Sequence, residues 1–227
     1  MRVAIVSDIH GNLTAFEAVL ADLRETAPDL VLQGGDLSDA GAHPTEILDQ
    51  IRDLNWPGVY GNTDEMLFRR ESLQEFASNL PQLRDMFDKI EEMAAWTRHQ
   101  LGPNRLTWLE ALPLTHTQPE VTVIHAGPES PWRVPCDNEL AALNFPLLVY
   151  GHIHRPFIEG RVANSGSVGQ PHDGDHRASY LLIDGSRPEI RRVKYNLERE
   201  VKALKDSGLP HADWTARILK AARPQNP

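Results

Sequence analysis

Seven side chains able to ligate a metal stand in five short blocks: Asp8-x-His10, Gly35-Asp36, Gly61-Asn62, His125 and Gly151-His152-Ile153-His154. Oxygen and nitrogen donors with no cysteine suit first-row divalent ions such as Mn, Fe, Co, Ni or Zn. Asp8 and His10, two residues apart, project to one side if the backbone is extended there, and His152 and His154 share that spacing. Asp36 follows two glycines that permit close backbone approach. Its two carboxylate oxygens make it the natural bridge between a pair of ions. Two ions held this way leave positions for water and phosphate, as two-metal hydrolysis requires.

The blocks must share an address, and the elements around them supply one. Val3 to Val6 is a continuous apolar run that reads as a buried strand, and Leu30 to Leu32 reads as another. Between them Leu13, Phe16, Leu20 and Leu23 keep helical spacing, with Thr14 and Glu17 as a capping pair. Pro44 opens a second helix carrying Ile47, Leu48 and Ile51, and Gly58-Val59-Tyr60 leads into Gly61-Asn62. Three such units predict a parallel sheet whose ligands lie beyond the strand carboxyl ends. Residues from about 65 to 112 read as a helical insertion, interrupted at Gly102-Pro103 with Asn104 capping a further short helix. Strands are predicted at 121–124, 147–150, 157–163, 180–183 and 189–195, with turns at Gly160-Arg161 and Asp184-Gly185-Ser186. They predict a largely antiparallel second half facing the first, followed by a helical tail over about 197–223, broken near Gly208.

At 227 residues, one domain spanning the whole chain is the expectation, with 41% hydrophobic and 24% charged residues marking it as globular. The net charge of -9 argues against a long nucleic acid as partner, while a local metal site still attracts one small phosphate. The N-terminal apolar stretch is too short for a signal peptide or membrane span. A single cysteine, Cys136, permits no internal disulfide and suits a reducing, cytoplasmic setting; it reads as a small buried residue. Nothing in the composition speaks to oligomeric state.

The ordered set Asp-x-His, Gly-Asp, Gly-Asn, His and Gly-His-x-His, from Asp8 to His154, resembles the calcineurin-like metallophosphoesterases. Asn164-Ser165-Gly166-Ser167-Val168-Gly169-Gln170-Pro171 is similar to the segment that follows the last block in small prokaryotic members, which act as phosphodiesterases. The resemblance implies an α/β fold of two mixed sheets packed face to face as a sandwich flanked by helices, four layers in all. It implies one ion on Asp8, His10, Asp36 and His154 and a second on Asp36, Asn62, His125 and His152, bridged by Asp36. The implied chemistry is in-line attack on phosphorus by a metal-bound hydroxide. Two divalent ions are expected, manganese foremost, with Fe, Ni, Co or Zn compatible.

The chain departs from that pattern at Thr63, where many members carry histidine between the asparagine and the acidic residue, here Asp64. Threonine donates a hydrogen bond but has no pKa near neutrality, so it cannot protonate a leaving alkoxide. Asn62, Thr63 and Asp64 are therefore read, with Asp36 and His125, as the catalytic set, and an active diesterase is favoured over a general monoesterase. His172 and His176 are candidate replacements for the missing acid, with Arg155 and Arg177 as candidate phosphate contacts. A solvated polar loop explains them as well. Arg69 and Arg70 are further candidate phosphate contacts, and Trp132 and Arg133 are candidates to border a nucleotide base by stacking, with a loop anchor as the other reading of Trp132. The expected function is hydrolysis of small, nucleotide-like phosphate esters. The alternatives are a phosphomonoesterase or protein phosphatase, and a metal-binding scaffold with little catalysis.

Overall fold

A computed structural model describes residues 1–134, 136, 139, 140 and 145–227. Among the described residues, nine strands form two mixed sheets. The first contains β1 (Arg2–Val6), β2 (Leu30–Gln33), β8 (Ala178–Asp184) and β9 (Arg187–Val193) in the order β2-β1-β8-β9. The second contains β3 (Thr115–Thr117), β4 (Thr122–Ile124), β5 (Leu148–Tyr150), β6 (Phe157–Glu159) and β7 (Val162–Asn164) in the order β3-β4-β5-β7-β6.

Strand periodicity explains how the sheets stack. On β1, Val3 and Ile5 join Leu32 and Leu181 to meet Val123, Val149 and Ala163 of the second sheet. Ala4 and Val6 point the other way, into a core with Phe16, Val19, Leu48 and Ile51. Both faces of β1 are thereby buried, which accounts for its unbroken apolar run. The helices over this outer face are α1 (Leu13–Thr26) and α2 (Pro44–Asp53). Then come α3 (Asn62–Phe68), α4 (Glu71–Ala77) and α5 (Arg84–Glu110). The C-terminal helices α6 (Leu197–Asp206) and α7 (Ala212–Ala221) pack Val201, Leu204, Trp214 and Leu219 against Met93 of α5. No helix among the described residues is long and apolar enough to cross a membrane.

Several expectations need correction. The second half is not a separate, largely antiparallel sheet: β4, β5 and β7 pair in parallel, and β8 pairs antiparallel with β1. The chain returns because Val168 donates its amide to the Ser7 carbonyl (3.1 Å), carrying β8 beside β1. The expected turn at Gly160-Arg161 holds, and it divides the 157–163 run into the two strands of a hairpin. The third unit, at Gly58-Val59-Tyr60, makes only a bridge to Gln33, since Pro57 has no amide hydrogen to extend the ladder. The cap of α1 is Asn12, whose side chain accepts from Ala15 N (2.9 Å), rather than Thr14 with Glu17. The helical run breaks where expected, at Gly102-Pro103, where Gly102 takes the non-helical φ 67° and ψ 173°; the following helical stretch starts on Pro103 rather than behind an Asn104 cap. Cys136 is exposed, not buried.

Candidate metal centre

The five sequence blocks meet at the carboxyl ends of β1, β2, β4 and β5 and at the start of α3. Donor atoms of Asp8, His10, Asp36 and His154 all lie within 4.8 Å of one another, and all four residues are buried. Beside them, the Asn62 side-chain oxygen lies 3.0 Å from His125 Nε2 and 2.9 Å from His152 Nδ1. Asp36 Oδ2 sits between the two groups, 3.6 Å from His10 Nε2 and 3.4 Å from His125 Nε2.

The backbone reaches this geometry by a route the spacing did not reveal. Asp8, His10, Asp36, His152 and His154 all have positive φ, between 48° and 65°. The expectation that each residue pair points together from extended backbone is therefore wrong. Left-handed residues turn the chain sharply past each strand end, a conformation that costs free energy and must be held by its surroundings. Asp8 N and His10 N donate to the carbonyls of Gly35 and Asp36, both at 3.0 Å. Gly169 N (2.9 Å) and Ser167 Oγ (2.7 Å) both donate to the Asp8 carbonyl. The Asn164 to Pro171 segment thus clamps the first block.

Two glycines are required by close approach. A Cβ on Gly61 would lie 2.1 Å from Asp36 Oδ1, and one on Gly151 would lie 2.3 Å from Asp8 Oδ2.

Asp64 lies deeper than its assignment to the catalytic set implied. Its carboxylate accepts from Asp36 N (2.7 Å), Leu37 N (3.0 Å) and Gly61 N (2.9 Å), so it holds two ligand loops together. Burial, reinforced by the nearby Asp36 charge, pushes its carboxyl up to about 7. Thr63 contributes through its backbone: its amide donates to Asp36 Oδ1 at 2.9 Å, leaving Oδ2 free.

Hydrogen bonds orient the histidines. Nδ1 of His10 lies 3.1 Å from the Asp39 carbonyl, that of His154 2.6 Å from the Gln170 carbonyl, and that of His125 2.8 Å from the Gly34 carbonyl. A carbonyl only accepts, so these contacts assign the proton to Nδ1 and turn Nε2 inward. His10 Nε2 and His154 Nε2 consequently face each other at 3.2 Å beside Asp8 and Asp36. Two ring nitrogens at that distance need a cation between them or a proton on one. The donor set fits a divalent ion.

The electrostatics agree. Burial works against the Asp36 carboxylate, yet the facing imidazoles of His125, His10 and His152 hold it well below the usual carboxylate range. Asp8 is likewise lowered, His154 outweighing the cost of burial. Burial lowers His10 overall, and burial with the neighbouring His125 brings His152 down to about 4.

The remaining predicted contacts divide. His172 stacks on His154, ring centres 4.3 Å apart, and burial followed by His154 pushes its imidazole down to about 3. That downward shift runs against a role as the missing acid. His176 contacts the Leu219 carbonyl through Nδ1 (3.1 Å), and Arg177 pairs with Asp175, so the interactions of both lie outside the centre. Arg155 is exposed and donates to the His172 carbonyl at 3.1 Å. Arg69 pairs with Glu65 and Glu75, and Arg133 with Glu139. Trp132 donates to Glu65 and packs on Phe76, as a loop anchor does. The orienting roles of Asp39 and of Gln170 leave no mark in residue type, because their carbonyls, not their side chains, hold His10 and His154.

Two mixed sheets flanked by helices, with buried aspartates and histidines converging at their strand ends, define a metal-dependent hydrolase. Residues 1–156 match the calcineurin-like phosphoesterases, and the chain belongs to that family. It is 32% identical to the uncharacterized protein MJ0912 of Methanocaldococcus jannaschii, over 97% of this chain and 98% of that one. Among solved structures it is similar to a metallophosphoesterase from Sphaerobacter thermophilus, with 30% identity and a TM-score of 0.79 over 98% of this chain and 100% of that one. The hypothetical protein PH1004 from Pyrococcus horikoshii OT3 shares the fold at 19% identity, with a TM-score of 0.80 over 99% of both chains.

Proposed function

We propose that this protein is a dinuclear phosphoesterase that prefers phosphodiesters, with Asp8, His10, Asp36 and His154 holding one divalent ion and Asp36, Asn62, His125 and His152 the other. The observation that carries the reading is the position of Asp36 Oδ2, 3.6 Å from His10 Nε2 and 3.4 Å from His125 Nε2, between the two donor groups. The similarity to the Sphaerobacter metallophosphoesterase supports it. Divalent cations so held, manganese foremost, supply Lewis acidity to phosphate oxygens and to a water nucleophile.

The chain's own residues prepare that chemistry. Thr63 N fixes Asp36 Oδ1 and leaves Oδ2 to be shared. Asp64 locks the Asp36 and Gly61 loops, and the backbone carbonyls of Asp39, Gln170 and Gly34 aim three imidazoles. Protonation of the leaving oxygen is the weak point, because Thr63 lacks a suitable pKa and burial lowers that of His172. Substrates with stable leaving groups are favoured as a result, and the acidic net charge argues against a long nucleic acid as substrate.

The test is turnover of a panel of cyclic nucleotides, linear diesters and monoesters by manganese-loaded protein. Diesters should be hydrolysed faster than monoesters of the same alcohol. Faster monoester turnover would overturn the diesterase assignment, and no turnover of any ester would favour a scaffold.

A further inference from the structure

A cavity of about 250 Å³ opens beside the metal centre, between α5 and α7. Its two ends differ. At one end stand His10, Thr63, Gln170 and His172. Asp39, Thr215 and Gln225 also border it, but most of the remaining wall is apolar: Ile90, Trp214 and Ile218 with Met66, Met86 and Met93, three of the chain's four methionines.

Polar atoms at the metal end lack partners. Thr63 Oγ1, Gln170 Nε2 and His172 Nε2 are buried without a hydrogen-bond partner among the described residues, and all three residues line this cavity. Buried polar groups are nearly always satisfied, so three orphans around one cavity indicate groups kept for a ligand or ordered water. They occur next to His10, where a substrate phosphate would arrive. The cavity as a whole exceeds the roughly 150 Å³ void known to admit benzene. Methionines suit such a wall because flexible, polarizable thioethers adapt to varied ring shapes and contact ring edges favourably.

We propose that this cavity receives the organic group of the substrate, and that the group is a compact ring, aryl or heteroaryl, whose polar edge meets Thr63, Gln170 and His172. The inference rests on the phosphoesterase reading and extends it to substrate class. Esters bearing one ring are bound in preference to methyl or other small alkyl esters. Trp214, anchored by its Nε1 donation to the Gln225 carbonyl (2.8 Å), holds the C-terminal segment as the far wall.

Binding separates this proposal from the reading beneath it. Manganese-loaded protein is titrated calorimetrically with inorganic phosphate, methylphosphonate and phenylphosphonate, none of which it needs to hydrolyse. Phenylphosphonate should bind about tenfold or more tighter than methylphosphonate, from burial of the ring. Ile218→Trp, which fills the cavity, should abolish that advantage while leaving phosphate affinity unchanged, and Ile90→Trp should do the same from the opposite wall. Equal wild-type affinity for the two phosphonates would overturn the cavity proposal alone. If none of the three anions binds, the phosphoesterase reading falls and the proposal with it.

Discussion

His10 Nε2 and His154 Nε2 face each other at 3.2 Å, each ring held by a backbone carbonyl on its far nitrogen. Without a cation, one of them must carry a proton, and Asp8 at 3.1 Å draws it to His154, whose pKa is raised by that carboxylate despite burial. Metal binding therefore releases a proton and strengthens as pH rises. One fixed manganese concentration should raise the melting temperature more at pH 8 than at pH 5.5, each ion adding about 2.7 kcal/mol where that concentration is a hundredfold above its Kd. An equal shift at both pH values would contradict this coupling.

Asp64 is predicted to act on structure before chemistry. Asp64→Ala leaves the amides of Asp36, Leu37 and Gly61 without their acceptor, at about 1–3 kcal/mol for each buried group. Urea unfolding should show a loss above about 3 kcal/mol, with weaker metal retention. A loss below about 1 kcal/mol would show that Asp64 is not the tie between these loops.

The strand ends carrying the ligands were legible because each strand is a short β-branched run stopped by a polar block. The register was not. Where β8 and β9 attach depends on Val168 and Gly169 reaching back to Ser7 and Asp8, contacts between residues about 160 positions apart that no local pattern encodes. The ligand set was readable from residue type and order, but the left-handed backbone at five ligands was hidden, since aspartate and histidine do not advertise positive φ as glycine does. The cavity between α5 and α7 was hidden for another reason. Its methionines and Trp214 have the helical spacing of ordinary core residues, and only tertiary packing leaves a gap among them.

Thr63 offers a way to supply the missing acid. Its hold on Asp36 is through the backbone, so Thr63→His should leave the metals in place while adding an imidazole near the leaving group. Turnover of esters with poor leaving groups should rise about tenfold relative to p-nitrophenyl esters. An unchanged ratio with intact metal content would show that departure of the alcohol does not limit the reaction.

Glu200 provides a pH test remote from the centre. It is fully buried, accepts from Thr14 N (3.2 Å) through one oxygen and leaves the other unpaired. Burial raises its carboxyl above the ordinary value of 4.5, so the folded chain holds a proton that the unfolded chain has lost. Stability from this group is intact below the ordinary value and falls as pH climbs through the window above it. Glu200→Gln should raise the melting temperature at pH 8 and not at pH 4. A gain of the same size at both would refute the assignment.

The shared carboxylate is tested most directly by metal content. Protein stripped with chelator, reloaded with manganese and desalted should carry two ions per chain in the wild type and one in Asp36→Asn, with diesterase activity reduced by at least about a hundredfold. One ion per wild-type chain, or full activity in Asp36→Asn, would contradict a dinuclear centre bridged by Asp36.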